Sequence, residues 1–193
     1  ALLFVLDLIK AFEKVQLIHV WEWGRYLGFP PDIMAVALKY FSFARSIVWQ
    51  GSLSEQLQTI TAICAGSKWS VFFLRITITW PMQCMLRLWP SVAPKVYVDD
   101  AKFMLKGLAK EVAQQCRPFL IDLMDSFGEV HMQFSLNTEQ EAGKSKALAS
   151  CKWLHQQVQE TCEQEGLQMV RYLEYLGVDV GTRPQHGKRA GRN

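Results

Sequence analysis

The chain opens on an unbroken apolar run, "LLFVL", that stops at Asp7. Such a run suits a strand buried in the middle of a sheet, with its last residue reaching an edge or a cleft. The other reading of Asp7 is an N-cap for a helix starting at Leu8, since Asp is among the best caps. Helical spacing follows in "LIHVWEWGRYLGF", which Gly28 and Pro30-Pro31 stop. "PDIMAVALKYFSFA" starts a second helix at Pro31, where a missing N–H is harmless. "RSIVWQG" reads as a strand closed by Gly51, and "QTITAICAG" as its hairpin partner across "SLSE". Gly66 ends that strand. Lys68 begins a long apolar helix that Pro81 kinks or ends.

The second half repeats the alternation. "KVYVDDAKFML" predicts strand, turn, strand, and "LAKEVAQQCRPFLIDLMDSFGEV" a helix with Pro118 as a candidate break and Gly128 as its stop. "HMQFSL" alternates as a strand does, "NTEQEAGKS" is a polar loop, and "KALAS" a short strand. "CKWLHQQVQETCEQEGL" is a helix ended by Gly166, and "MVRYLEYLGVDV" carries two short apolar runs that predict a final hairpin. Residues 181–193, "GTRPQHGKRAGRN", read as a basic disordered tail, in which Arg183, Lys188, Arg189 and Arg192 could touch phosphates. Helices and strands interleave, but hairpins recur. The expected class is α+β, with a mostly antiparallel sheet packed on helices.

Composition narrows this picture only a little. The 193 residues suggest one domain, and the 50% apolar and 20% charged shares are those of a globular chain. A net charge of +3 is compatible with a polyanionic partner without demanding one. The apolar stretch 69–89 contains Arg75, Pro81 and Arg87, so a buried core helix is expected and no membrane partner. The five cysteines contain no C-x-x-C pair and are odd in number, which argues against a zinc site or disulfide framework. A reducing, intracellular setting follows, nucleus or cytoplasm. His19, His131, His155 and His186 show no paired metal spacing, and Asp122 and Asp125 share a helix face. The clustered aromatics from Trp21 to Phe43 fall on helical patterns and are read as core. Trp69 beside Lys68 is a minor candidate for base stacking.

The chemistry rests on Asp7, Asp99 and Asp100. If the two strands that carry them are neighbours, the carboxylates repel unless a cation neutralises them. Hard oxygen ligands suit Mg²⁺, and two such ions about 3.5–4 Å apart would clamp an in-line phosphoryl displacement. Asp is equally a favoured turn residue, so a solvated β-turn is the plain alternative for Asp99-Asp100.

"DLIKAF", "AGSKWSVFF" and "YVDD", in that order, resemble motifs A, B and C of a reverse transcriptase palm of the non-LTR retrotransposon type. "FSLNTEQEAGKSKALAS" is similar to the family's motif D, and "YLEYLGVDV" to the Leu-Gly hairpin that follows it. The resemblance covers roughly residues 2 to 180. It implies a ferredoxin-like palm core over 1–180 and RNA-directed DNA polymerase activity, with two Mg²⁺ ions, Mn²⁺ being an alternative. The implied partners are a primed RNA or DNA template and deoxynucleoside triphosphates. Asp7 and Asp99 would be metal ligands, supported by Asp100. Leu8, Phe12, Gly66, Ser67 and Tyr97 would lie at the nucleotide, with Phe12 excluding a ribose 2′-hydroxyl. Lys144 or Lys146 would serve the pyrophosphate, and Tyr175, Leu176 and Gly177 the primer terminus.

The bland counterparts are a core Phe12, a turn Gly66 and loop charges at 144 and 146. The chain also departs from the pattern. Ala65, Ser67, Lys68 and Trp69 stand where many relatives carry Gln before the glycine and Pro soon after, and Glu13 stands where Asp is common. Few residues precede Asp7 or follow the last hairpin, so the fingers are expected to be largely missing and the thumb wholly so. An inactive retroelement remnant with at most weak nucleic-acid binding is therefore the alternative function.

Overall fold

Strand β1 (Leu2–Asp7) alternates without error: Leu2, Phe4 and Leu6 are buried, while Leu3, Val5 and Asp7 are half-buried. A strand with that pattern has one face on a core and one face turned away from it. The computed structural model describes residues 1–58, 61–64, 66–138, 140–175 and 178–181, with backbone alone from 172 onward. Leu176, Gly177 and nearly all of the basic tail lie outside the described residues.

Four helices follow β1. The short α1 (Ala11–Lys14) leads into α2 (Leu17–Tyr26), which buries Val20 and Gly24, and α3 (Pro31–Ser42) begins at its proline as expected. Gly24 lets α2 and α3 close together, because a Cβ there would overlap the Met34 sulfur. Helix α4 (Lys68–Leu88) starts where expected, and Pro81 does not end it. Its buried face includes Thr77, Ile78, Pro81 and Met85. Packing of that face offsets the one backbone hydrogen bond that the proline withdraws.

The hairpin between α3 and α4 is tighter than expected. Strands β2 (Val48–Trp49) and β3 (Ser52–Leu53) turn at Gln50 and Gly51, both at positive φ, the geometry of a type I′ turn. The described residues among 58–66 form no second strand. Ala62 sits at φ 80, and Thr61 makes a single bridge with Gln16, while Leu57 just before the segment bridges Arg45. The segment's backbone is tied instead to α1, by Ile63 N–H to the Phe12 carbonyl and Ala62 N–H to that of Val15.

Strands β4 (Ala93–Tyr97) and β5 (Asp100–Leu105) form the expected hairpin. Helix α5 (Ala109–Gly128) then passes through Pro118 unbroken, with the proline on its exposed side. Residues 131–136 make no strand, only an antiparallel bridge between Phe134 and Leu8 after the left-handed His131 at φ 59. Strand β6 (Lys146–Ala149) and helix α6 (Lys152–Gln164) follow, and Gly166 at φ 73 ends the helix. The apolar run "MV" joins the main sheet as β7 (Gln168–Val170), parallel to β6, so the final hairpin is β8 (Tyr172–Tyr175) with β9 (Val178–Gly181).

The main sheet has the order β4-β5-β1-β6-β7 and is antiparallel except for its last pair. With the helices between them, β1, β4, β5 and β6 trace a ferredoxin-like split βαβ pattern, to which α6 and β7 add one strand beyond β6. Phe119 of α5 anchors the core: its ring lies 5.3 Å from that of Phe4, 5.8 Å from Phe103 and 5.6 Å from Trp89. Cys116 and Cys162, both buried, bring their sulfurs to 3.9 Å where α5 meets α6. That hydrogen bond, and then burial, holds the Cys162 thiol far above its ordinary pKa. No helix among the described residues is long and apolar enough to cross a membrane.

Candidate active site at the end of the central strand

Asp7 is the last residue of β1 and not a helix cap; α1 begins only at Ala11, behind Lys10 at φ 48. The neighbouring strand β5 and the loop before β6 fix it. Across the β1–β5 ladder Asp7 stands directly opposite Asp100. The two side chains therefore share the sheet face that turns away from the core. The next residue, Leu8, donates its N–H to the Asp99 carbonyl at 3.1 Å. Asp99 itself occupies the two-residue turn with Val98, whose φ is 56. A β-branched residue in the left-handed region is strained, and the surrounding hairpin must hold it there.

On the other side, the loop before β6 wraps the strand end. The Asp7 N–H donates to Ser145 Oγ at 3.2 Å, and the Ser135 N–H donates to the Asp7 carbonyl at 2.7 Å. Ser135 also accepts the Ser145 N–H on its carbonyl, at 2.9 Å, and the Lys144 N–H on Oγ, at 3.1 Å. Gly143 donates its N–H to Asn137 Oδ1 at 2.7 Å. It lies so close to the 135–137 backbone that a Cβ would fall 2.6 Å from the Ser135 carbonyl oxygen. This lacing delivers Lys144, whose Nζ lies 3.8 Å from Asp7 Oδ2. Lys144 is well exposed, so the pair is a screened contact and its worth to stability is small.

These elements enclose a cleft of about 570 Å³, lined among others by Asp7, Leu8, Phe12, Asp99 and Lys144. Five of the expected site residues are thus gathered in one place. Phe12 projects from α1 as a half-buried ring packed against the core, so its packing and its cleft position coexist. Leu8 contributes a buried side chain, and its N–H is already engaged by Asp99. Asp100 and Tyr97 face each other across the β4–β5 ladder, beside the cleft. Lys146 lies further back, opposite Val5 on β6, so Lys144 is the lysine brought to the acids.

Gly66 and Ser67 stand apart from this group. Gly66, at φ 91, has nothing within 4 Å of a built Cβ, so its backbone conformation is what favours glycine. Ser67 precedes α4 and lines a separate apolar groove with Ile33, Val36, Tyr40 and Trp69. Of the expected primer contacts, Tyr175 pairs with Val178 in the last hairpin, and Leu176 and Gly177 lie outside the described residues. Ser135, Asn137, Gly143 and Ser145 were not expected at the site. The signal for them is faint: polar residues either side of a glycine in a loop that precedes a strand.

The carboxylates suit one kind of metal. Among the described residues no three His, Cys, Asp or Glu side chains form a closed cage. Carboxylates at the mouth of an open cleft instead fit Mg²⁺, which is held by one or two of them together with water and substrate phosphates. They do not fit a structural zinc site, which needs four protein ligands. Compared with models of known protein families and with curated proteins, the chain matches none.

Proposed function

We propose that the chain is the palm of an RNA-directed DNA polymerase, joining deoxynucleotides to a primer 3′-hydroxyl. The observation that carries this reading is the β1–β5 register. Asp7 and the Asp99-Asp100 pair are more than ninety positions apart in the chain, yet they meet at one cleft mouth. Asp7 and Asp99 would hold divalent cations, with Asp100 in support. Mg²⁺ or Mn²⁺ bound there would supply charge that activates the hydroxyl and steadies the departing pyrophosphate.

The chain's own groups do the rest. Lys144 stands where it can balance negative charge released at the cleft, and its exposed side chain can reach a leaving anion. Phe12 walls the cleft with a rigid ring and narrows the space beside an incoming sugar, which favours deoxyribose over ribose. The Ser135 and Ser145 hydrogen bonds fix the backbone of Asp7, so its carboxylate is aimed before any substrate arrives.

The test is primer extension by the chain on a primed RNA template with Mg²⁺ and deoxynucleotides. Extension is expected, together with a loss of two orders of magnitude or more in Asp7→Asn and in Asp99→Asn, on the general scale for removing a preorganised electrostatic group. A chain that extends nothing, or variants that extend as well as the parent, would overturn the proposal and leave at most a nucleic-acid-binding remnant.

A further inference from the structure

Helix α3 is apolar on two sides. Met34, Ala37 and Phe41 are buried against the rest of the chain. The opposite side carries Ile33, Val36, Tyr40 and, just past the helix end, Phe43. Each is at least half exposed, and Val36 is 73% exposed. Spacings of three, four and three residues put all four on one stripe. A surface helix ordinarily carries polar residues there, and a stripe of large apolar side chains facing water marks an interaction surface. Ile33, Val36 and Tyr40 also line, with Trp69 of α4, an apolar groove of about 600 Å³. Two charges edge the stripe. Asp32 stands in the first turn of α3 and Lys39 in the last, about 10 Å apart along the axis and on the same flank. Both are exposed, and neither enters an ion pair among the described residues. Seven residues of helix separate them, too far for them to pair with each other.

We infer that α3 is a homodimer interface, in which the helix packs antiparallel against α3 of a second copy across a two-fold axis. The charges choose the occupant. A two-fold axis passing between Ala35 and Val36 carries position 32 onto position 39 and position 39 onto position 32. Asp32 of each copy then meets Lys39 of the other, and the charges left unpaired in one chain form two ion pairs in the dimer. A parallel arrangement would instead set Asp32 on Asp32 and Lys39 on Lys39. The same axis places Val36 against Ala35 and Val36 of the second copy, and the small Ala35 lets the backbones approach. Position 40 falls on position 31, so Tyr40 lies about 3 Å along the axis from Ile33 of the second copy and reaches the Ile33 end of its groove. A patch complementary to itself in this way is what a two-fold contact requires. One helix face, about 18 Å long, and the groove beside it make a small interface, so a reversible dimer in the micromolar range is expected. None of these residues lines the acidic cleft, and the inference is independent of the polymerase reading.

The experiment is sedimentation velocity of the full chain over a series of protein concentrations at low salt. A discrete equilibrium between monomer and dimer is expected. Val36→Glu puts two carboxylates at the axis and should leave a monomer throughout the series. Asp32→Lys and Lys39→Asp each set like charges in both pairs and should weaken the dimer by about tenfold. The double variant Asp32→Lys/Lys39→Asp restores both pairs and should return the dissociation constant close to that of the parent. This rescue separates pairing between copies from a role within one chain, where two reversals against the helix dipole only add. Circular dichroism and thermal unfolding check that the variants fold, as substitutions at exposed positions should. A parent that stays monomeric at every concentration, a dimer that Val36→Glu leaves intact, or a double variant no tighter than the single ones overturns the inference.

Discussion

Asp7 and Asp100 face each other across the antiparallel ladder of β1 and β5, and both turn away from the core. Like charges directly opposite in a sheet destabilise it by roughly 0.2–1 kcal/mol. A divalent cation at the cleft mouth would remove that penalty. Mg²⁺ is therefore expected to stabilise the fold, by about 1.4 kcal/mol at ten times its dissociation constant. In Asp7→Asn the gain should disappear. Thermal unfolding with titrated Mg²⁺, at constant ionic strength, reads both; a parent that ignores Mg²⁺, or a variant that responds equally, contradicts the pairing of these acids through a metal.

Gly143 is the second test point. A Cβ there meets backbone atoms of Ser135, Leu136 and Asn137, none of which can rotate away. Gly143→Ala should cost about 1–3 kcal/mol, the range for overpacking, and should dislodge the loop that carries Lys144. Gly128 provides the contrast, since it ends a helix and a Cβ there meets nothing within 4 Å. Gly128→Ala should be neutral or stabilising by up to about 1 kcal/mol. Urea midpoints of the two variants should move in opposite directions or only for Gly143.

The core prediction concerns Phe119, whose ring meets Phe4, Phe103 and Trp89. Phe119→Ala should cost about 3–5 kcal/mol, a large part of the stability of a domain of this size. Phe119→Leu should cost clearly less. Guanidinium denaturation followed by tryptophan fluorescence checks the order of the two variants, and equal midpoints would mean that the rings do not anchor the sheet to α5.

Alkaline stability follows from Cys162. Its folded pKa is raised, so the thiol stays protonated in the fold at pH values where the unfolded thiol ionises. The unfolded state then binds fewer protons, and stability falls as pH rises above the ordinary thiol value, near 8.5–9. The contribution is about 1.4 kcal/mol per pH unit for one group. Cys84, raised by burial and by Glu129, adds in the same direction. Cys162→Ala should flatten the decline between pH 9 and 10.5 whatever it does to the absolute stability. An identical slope in the variant would refute the assignment.

Much of this fold could be read along the chain because the signals were local. The run ending at Asp7 and the caps at Pro31, Gly28 and Gly166 each announce an element by their own chemistry, whereas the turn expected at Asp99-Asp100 falls one residue earlier, at Val98-Asp99, and Asp100 opens β5. The misreadings arise where tertiary packing outweighs a local rule. Pro81 and Pro118 are helix breakers by rule, yet the packed faces of α4 and α5 carry both helices past them without ending. "HMQFSL" has a strand's alternation, but it pairs only through one bridge, Phe134 with Leu8, just beyond the end of β1. Strand β7 went unread because a parallel partner across a helix leaves no local mark. At the site, the acids were legible from their position at strand ends. The loop residues that aim them were not, because a glycine chosen for close approach, such as Gly143, looks like any loop glycine.

One feature of β1 reaches beyond its own residues. Side chains alternate faces with period two, so slipping this strand by a single position would bury Asp7 and push Leu6 into the cleft. Phe4, Leu2 and Leu6 therefore act as a ruler for the acid as well as filler for the interior. Drift in those apolar positions would misplace the carboxylate before it unfolded the protein, so the interior and the chemistry can only change together.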